Sequence, residues 1–230
     1  MTDFNNIQQA DLYTQAWYVW QAGRQETLTA PHNYLAPVST TWVSEGETKT
    51  IKEFPGTWSV EHDTLTYVPD ANSSVVNEEQ PLIAPIAFTP TAFGEQSLGY
   101  IDFGDLRAEV NSQTDLIKQD THRFWIRIKD PNAAPRKNFR GIDHFAIDPK
   151  WSLPARFKPA SDDEQDIHDS VVKTVLQSYR VLGTLEFDYE GKTYSLIVSN
   201  VFGHAYIFFS DETSGTETAG IGRIYELTAA

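Results

Sequence analysis

Between Leu185 and Val198 apolar residues occupy every second position on both sides of the dipeptide Glu190-Gly191. A two-residue loop there sets Phe187 opposite Tyr194, Leu185 opposite Leu196 and Gly183 opposite Val198. The same register leaves Asp188 with Thr193 and Glu186 with Ser195 on the reverse face. One register that yields one apolar and one polar face predicts a half-buried β-hairpin. The same alternation surrounds His62-Asp63, where Trp58 faces Tyr67 and Val60 faces Leu65, so His62 reads as a turn residue. A chain built from such units is constrained to antiparallel sheet.

The rest of the pattern agrees. Leu106, Ala108 and Val110 alternate with Arg107 and Glu109. Phe124, Ile126 and Ile128 alternate with Arg123, Trp125, Arg127 and Lys129, which puts three cations and an indole on the face away from the core. The run Ala205-Tyr206-Ile207-Phe208-Phe209 has no polar alternation and predicts a central strand covered on both faces. Ser170–Ser178 leans to strand because β-branched residues dominate it, and acidic Asp162–Ile167 reads as a loop or single helical turn. Tyr13, Ala16, Trp17 and Trp20 recur at helical spacing, with Gly23 placed as a C-terminal cap, so an N-terminal helix should pack its aromatic stripe on the body. Asp70–Pro90 is rich in Asn, Ser, Glu and Pro and reads as a connection. The expected fold is mainly β, with antiparallel sheets forming a sandwich or barrel and one N-terminal α-helix. A single domain over 1–230 is expected, or a division into 1–90, with the helix and first hairpins, and 91–230, with the C-terminal sheet.

At 230 residues with 40% hydrophobic content the chain can bury a real core. The absence of cysteine excludes a disulfide scaffold, a thiol enzyme and a Cys-ligated zinc or iron–sulfur centre. No apolar run is long enough to span a bilayer, and the first residues lack the basic and apolar regions of a secretory leader. The expectation is a soluble cytoplasmic protein with no membrane partner. A net charge of −14 argues against nucleic acid as a partner, because that binding neutralises phosphates with Lys and Arg. The charge is uneven, however. Between Arg123 and Lys158 nine basic residues meet three acidic ones, so half of all basic residues form a +6 window in an acidic chain. Solvated surface charge is the ordinary explanation. A local pocket for a small anion is the sharper one.

Familiar catalytic signatures are missing: there is no glycine-rich phosphate loop, no dinucleotide fingerprint and no G-x-S-x-G elbow. Ser214-Gly215 follows Thr213 where an aspartic protease requires Asp. Histidines 32, 62, 122, 144, 168 and 204 form no paired motif, so His122 and His144 with Asp143 or Asp148 are a poorly supported metal set, and no metal site is expected. No cofactor is identifiable, although a small barrel could hold flavin.

Two polar segments stand out. The first runs from Asp130-Pro131 through Arg136-Lys137-Asn138-Phe139-Arg140-Gly141 to Asp148-Pro149-Lys150-Trp151 and Ala155-Arg156-Phe157. Its guanidinium forks can grip a carboxylate or phosphate, with an aromatic wall beside them. The second, Asp211-Glu212-Thr213-Ser214-Gly215-Thr216-Glu217-Thr218 with Gly222-Arg223, follows the strand at 205–209, where binding loops commonly lie.

With Arg123-Phe124-Trp125-Ile126-Arg127-Ile128-Lys129-Asp130-Pro131 before them and Gly183-x-Leu185-x-Phe187 between them, these segments follow a known order. The sequence resembles the bacterial and archaeal proteins grouped as domain of unknown function 1684, closely in its second half and loosely around Tyr13, Trp17 and Arg24. The resemblance implies no reaction, since that family has none established. In the family the Gly-Arg continues into a segment with Asp-Phe-Asn and Asn-Pro-Pro-Cys signatures, so a short form is expected here.

Three functions follow as expectations. The leading one is a β-rich module that binds a small anion through Arg123, Arg127, Arg136, Arg140, Trp151, Arg156 and Thr213. The alternative is a hydrolase with Asp211 or Glu217 as general base and Arg223 stabilising developing negative charge. The third is a non-catalytic scaffold that assembles through its aromatic surface. Nothing in the sequence fixes the oligomeric state.

Overall fold

The computed structural model describes residues 4–91, 94–114, 121–161, 164–169, 176–201, 203–220 and 222–227. They divide into two compact units, Met1–Ile147 and Asp148–Ala230. The first begins with helix α1 (Phe4–Thr29). The helix runs through Gly23, where an added Cβ would meet nothing within 4 Å, so this glycine is not the expected cap. It stops before Pro31, whose ring and missing N–H end a helix. Of the aromatic stripe, Tyr13 and Trp17 are half-buried, whereas Ala16 and Trp20 face solvent. Trp17 meets the ring of His144 edge-on, with centroids 4.7 Å apart.

Ten strands follow: β1 (Pro37–Val43), β2 (Thr48–Ile51), β3 (Phe54–Glu61), β4 (Thr64–Val68), β5 (Val75–Asn77), β6 (Gln80–Pro81), β7 (Ile86–Phe88), β8 (Glu95–Phe103), β9 (Leu106–Thr114) and β10 (His122–Lys129). They form a larger sheet in the order β1-β10-β9-β8-β5-β6 and a smaller one in the order β2-β3-β4-β7. Asp70–Pro90 is therefore more than a connection. Its short, proline-interrupted pieces are too brief to show period two, yet they supply β5 and β6 to one sheet and β7 to the other. The two sheets share one core, in which Trp58, Val60, Leu65 and Tyr67 of the smaller meet Ile101, Val110, Phe124, Ile126 and Ile128 of the larger. This is an antiparallel sandwich and not a closed barrel, and it buries the positions that alternation marks as apolar.

The hairpin β3–β4 has the expected register, Trp58 against Tyr67 and Val60 against Leu65. His62 and Asp63 turn at φ of 51° and 56°, the conformation that a tight two-residue hairpin loop requires. Glu45 accepts hydrogen bonds from both of their backbone N–H groups, at 2.8 and 3.1 Å. The Asp63 carboxylate also accepts from the His122 backbone N–H at 2.6 Å and lies 2.7 Å from its Nδ1. That pair ties the turn of the smaller sheet to the first residue of β10.

A short helix α2 (Ala134–Asn138) closes the first unit. The second begins with a 3-10 turn at Pro149–Trp151 and continues through β11 (Ala155–Pro159), β12 (Gln165–Asp169), β13 (Leu176–Tyr189), β14 (Lys192–Val201), β15 (His204–Phe209) and β16 (Arg223–Leu227). Its sheet runs β11-β13-β14-β15-β16, with β12 also on β13. The β13–β14 hairpin pairs Phe187 with Tyr194 and Leu185 with Leu196, as its alternation requires. A Cβ on Gly183 would strike the Lys158 carbonyl and the Phe157 ring, so glycine lets β11 cross close to β13. Gln165–Ile167 is strand and not the expected loop or helical turn. Within Ser170–Ser178, residues 176–178 are strand, and 170–175 lie outside the described residues. β15 is interior as expected, but only Ile207 is buried, so the strand is not covered fully on both faces. Among the described residues no helix is long and apolar enough to cross a membrane.

Two glycines separate backbone strain from crowding. Gly46 (φ +77°) has open space around it, whereas a Cβ on Gly56 (φ +95°) would lie 2.6 Å from the Tyr67 ring. Either alanine should cost about 1–3 kcal/mol through the left-handed backbone alone. Gly56→Ala should lose measurably more in a denaturant titration than Gly46→Ala, and equal losses would contradict the crowding.

Candidate functional site

The residues expected to bind or react are divided between the two units. Arg123, Arg127, Arg136 and Arg140 belong to the first, and Trp151, Arg156, Asp211, Thr213, Glu217 and Arg223 to the second.

In the second unit the 211–223 segment folds on itself. The Thr213 hydroxyl donates to Asp211 Oδ1 at 2.5 Å and accepts from Arg223 NH2 at 2.8 Å. It also lies 3.2 Å from the Thr218 hydroxyl. A hydroxyl has one proton and two lone pairs, so these three contacts use all of its capacity. Asp211 further accepts from the Thr213 backbone N–H at 2.9 Å and pairs with Arg223 NH1 at 2.5 Å. The Thr213 hydrogen bonds, with the Arg223 charge behind them, hold its carboxyl below the usual carboxylate range. That environment makes Asp211 a weaker base than a free carboxylate. Glu217 is exposed, and its backbone N–H donates to the Thr213 carbonyl at 3.0 Å. Gly222 turns at φ +95°, and a Cβ there would collide with the Phe209 carbonyl, so glycine lets the loop return tightly alongside β15.

Trp151 stacks on Tyr189 at 5.2 Å, which covers one face of the expected aromatic wall. Arg156 is exposed on β11 directly across from Glu186, whose carboxylate takes Lys158 Nζ at 2.6 Å. In the first unit, Arg136 donates to the carbonyls of Thr29, at 2.7 Å, and Pro131, at 2.8 Å. It thereby satisfies a carbonyl at the C-terminus of α1 that has no partner within the helix. Arg140 donates to the carbonyls of Lys137 and Phe139, at 3.1 and 3.0 Å. These two guanidinium groups hold their own backbone.

Arg123 and Arg127 differ. They lie with Trp125 and Lys129 on the face of β10 turned away from the sandwich core. Across the larger sheet that face carries three consecutive rows. The first is Arg123–Gln113–Glu95, the second Trp42–Trp125–Asn111–Ser97, and the third Thr40–Arg127–Glu109–Tyr100. Two of its carboxylates are engaged in ion pairs: Glu109 takes Lys129 Nζ at 2.8 Å, and Asp102 takes Arg107 through two hydrogen bonds at 2.8 and 3.0 Å, while Glu95 stands beyond Gln113 in the Arg123 row. Among the described residues neither Arg123 nor Arg127 has a carboxylate within ion-pair distance. Arg123 rests over the Trp42 ring at 4.9 Å, and Trp42 packs on Trp125 at 5.0 Å. In the same row Trp125 is 5% exposed and Asn111 8%, and neither Trp125 Nε1 nor Asn111 Nδ2 has a hydrogen-bond partner. Leaving a buried donor unpaired costs about 1–3 kcal/mol, so two in adjacent positions call for an acceptor. Trp58 Nε1 and Ser112 Oγ are also unpaired, but they face inward, Trp58 against Tyr67 and Ser112 beside Phe124 on the core face.

Alternation in the sequence reveals the cationic row of β10. Asn111 and Trp42 join it only through strand pairing, which local pattern does not specify. The Asp63–His122 pair was equally hidden, because its members are distant in the chain. Among the described residues no three of His, Asp and Glu gather as a metal group. His122 is held by Asp63, and His144 Nδ1 lies 2.9 Å from the Phe145 carbonyl oxygen.

Removing the hydroxyl that anchors the 211–223 loop should be visible at its carboxylate. In Thr213→Val the Asp211 titration midpoint, followed by carboxyl-carbon NMR, should rise towards the ordinary carboxylate value. Because the native carboxyl is depressed, its contribution to stability is present above the unfolded-state pKa and is lost as pH falls through the folded one. Acid unfolding should therefore begin at higher pH in the variant. An unmoved midpoint would contradict the bonding described.

Residues 137–230 match the model of a protein family described as a protein of unknown function (DUF1684), the same family that the motifs resemble. No curated protein and no solved structure matches the chain.

Proposed function

We propose that this protein, a soluble cytoplasmic β-rich module, binds a small anion on the outer face of its larger first-unit sheet, with Arg123 and Arg127 as the charged anchors. The observation that carries the reading is the uniform polarity of what is unpaired there. Trp125 Nε1 is a donor and nothing else, an amide nitrogen is a donor, and a guanidinium cannot accept. Such a set is complementary to oxygen acceptors that carry negative charge. Burial of the two neutral donors lowers the local dielectric and strengthens an acceptor's hydrogen bonds.

The hydrolase reading draws less support. Asp211 and Arg223 bond each other, and the Thr213 hydroxyl has no capacity left for a substrate. Arg136 and Arg140 contribute to the fold, so anion binding rests on fewer arginines than the sequence suggested.

Isothermal titration calorimetry at low salt against inorganic phosphate and a panel of simple carboxylates tests the reading. At least one of these anions should bind the wild-type chain. Arg123→Ala, Arg127→Ala and Trp125→Phe should each weaken it about tenfold or more, since a hydrogen bond to a charged group is worth about 1.5–3 kcal/mol. Flat titrations with every anion, or affinities that all three substitutions leave unchanged, would overturn it.

A further inference from the structure

Resting on that reading, we infer that the site takes a dianion with two separated acidic heads, a small dicarboxylate, and not a single compact anion. Arg123, Trp125 and Arg127 follow one another at every second residue of one strand. At roughly 3.3 Å per residue, about 13 Å of strand separates the two arginine backbones. Arg123 is also committed in direction, because its guanidinium lies over Trp42, on the β1 side of β10. Trp42 stands in the Trp125 row, so the ring holds this guanidinium one row short of Arg127. A two-headed ligand bridges that interval, with one head on Arg123 where it rests and the other on Arg127.

The row between the two anchors fits the middle of such a ligand. Trp125 Nε1 and Asn111 Nδ2 are neutral donors in adjacent positions, suited to the inner oxygen of a carboxylate or to a hydroxyl or carbonyl on the spacer. Charge points the same way. Lys129 and Arg107 are neutralised by Glu109 and Asp102, which leaves Arg123 and Arg127 to meet two separated carboxylates, and Glu95 beyond Gln113 in the Arg123 row disfavours any larger negative charge at that end. Glu109 stands directly across from Arg127, and its own charge disfavours a more highly charged head there.

The test is a calorimetric series on the full chain with straight dicarboxylates from malonate to suberate, the monocarboxylates of matching length, and inorganic phosphate. Affinity should peak at one diacid length and exceed that of the matched monoacid by tenfold or more, since the second head binds at the effective concentration set by the first. Arg123→Ala and Arg127→Ala, each checked for an unchanged thermal midpoint, should reduce that diacid to the affinity of its monoacid, and Arg123→Lys should recover part of the loss. If phosphate or a monoacid binds as tightly as any diacid and still depends on both arginines, the two-headed ligand is wrong and the anion site stands. If no acid and no phosphate binds, both fall.

Discussion

β10 lies between β1 and β9, hydrogen-bonded to both, and that double pairing fixes which side of the strand each residue occupies. Phe124, Ile126 and Ile128 complete the sandwich core, so Arg123, Trp125, Arg127 and Lys129 must face outwards. A slip of one residue would exchange the two sets and drive three cations into an apolar interior, at several kcal/mol for each charge left unpaired. The register is thus held by the core and not by the ligand, and the outer face is organised before anything binds. The Asp63–His122 pair reinforces it by anchoring the first residue of β10 to the turn of the facing sheet.

The polar groups of this molecule fall into two populations. In one, each donor already holds an acceptor of the protein itself: Arg136 with Thr29 and Pro131, Arg140 with Lys137 and Phe139, Arg223 with Asp211 and Thr213. Such groups shape loops and helix ends and have little left to offer a ligand. In the other, donors are buried without acceptors, and on the outer face of the larger sheet they adjoin two unpaired cations. Function is sought where bonding capacity remains. By that measure a wet, charged loop is a weaker candidate than a quiet sheet surface.

Much of the fold was legible because period-two alternation is a local property. Trp58 with Tyr67 and Phe187 with Tyr194 follow from counting outward from two turns, and both pairings are present. The strands of Asp70–Pro90 were hidden because two or three residues carry no period, and the end of α1 was misread because an exposed glycine can sit inside a helix at modest cost. The candidate site divides along the same line. Arg123 and Arg127 could be named from β10 alone, whereas Asn111 and Trp42 depend on which strands flank it. Arg136 and Arg140 looked like ligand clamps because sequence records a guanidinium but not the carbonyl it already holds.

Anion binding on this face requires the indole N–H of Trp125 to be held ready for an incoming oxygen. The chain has six tryptophans, so its indole groups give a small set of resonances in a nitrogen–proton correlation spectrum, and Trp125→Phe identifies the relevant one by its loss. Adding a small dicarboxylate should move that signal saturably downfield as its proton acquires an acceptor, with the remaining indoles moving less. A Trp125 indole resonance that stays fixed while the anion is demonstrably bound would place the ligand elsewhere and contradict the account.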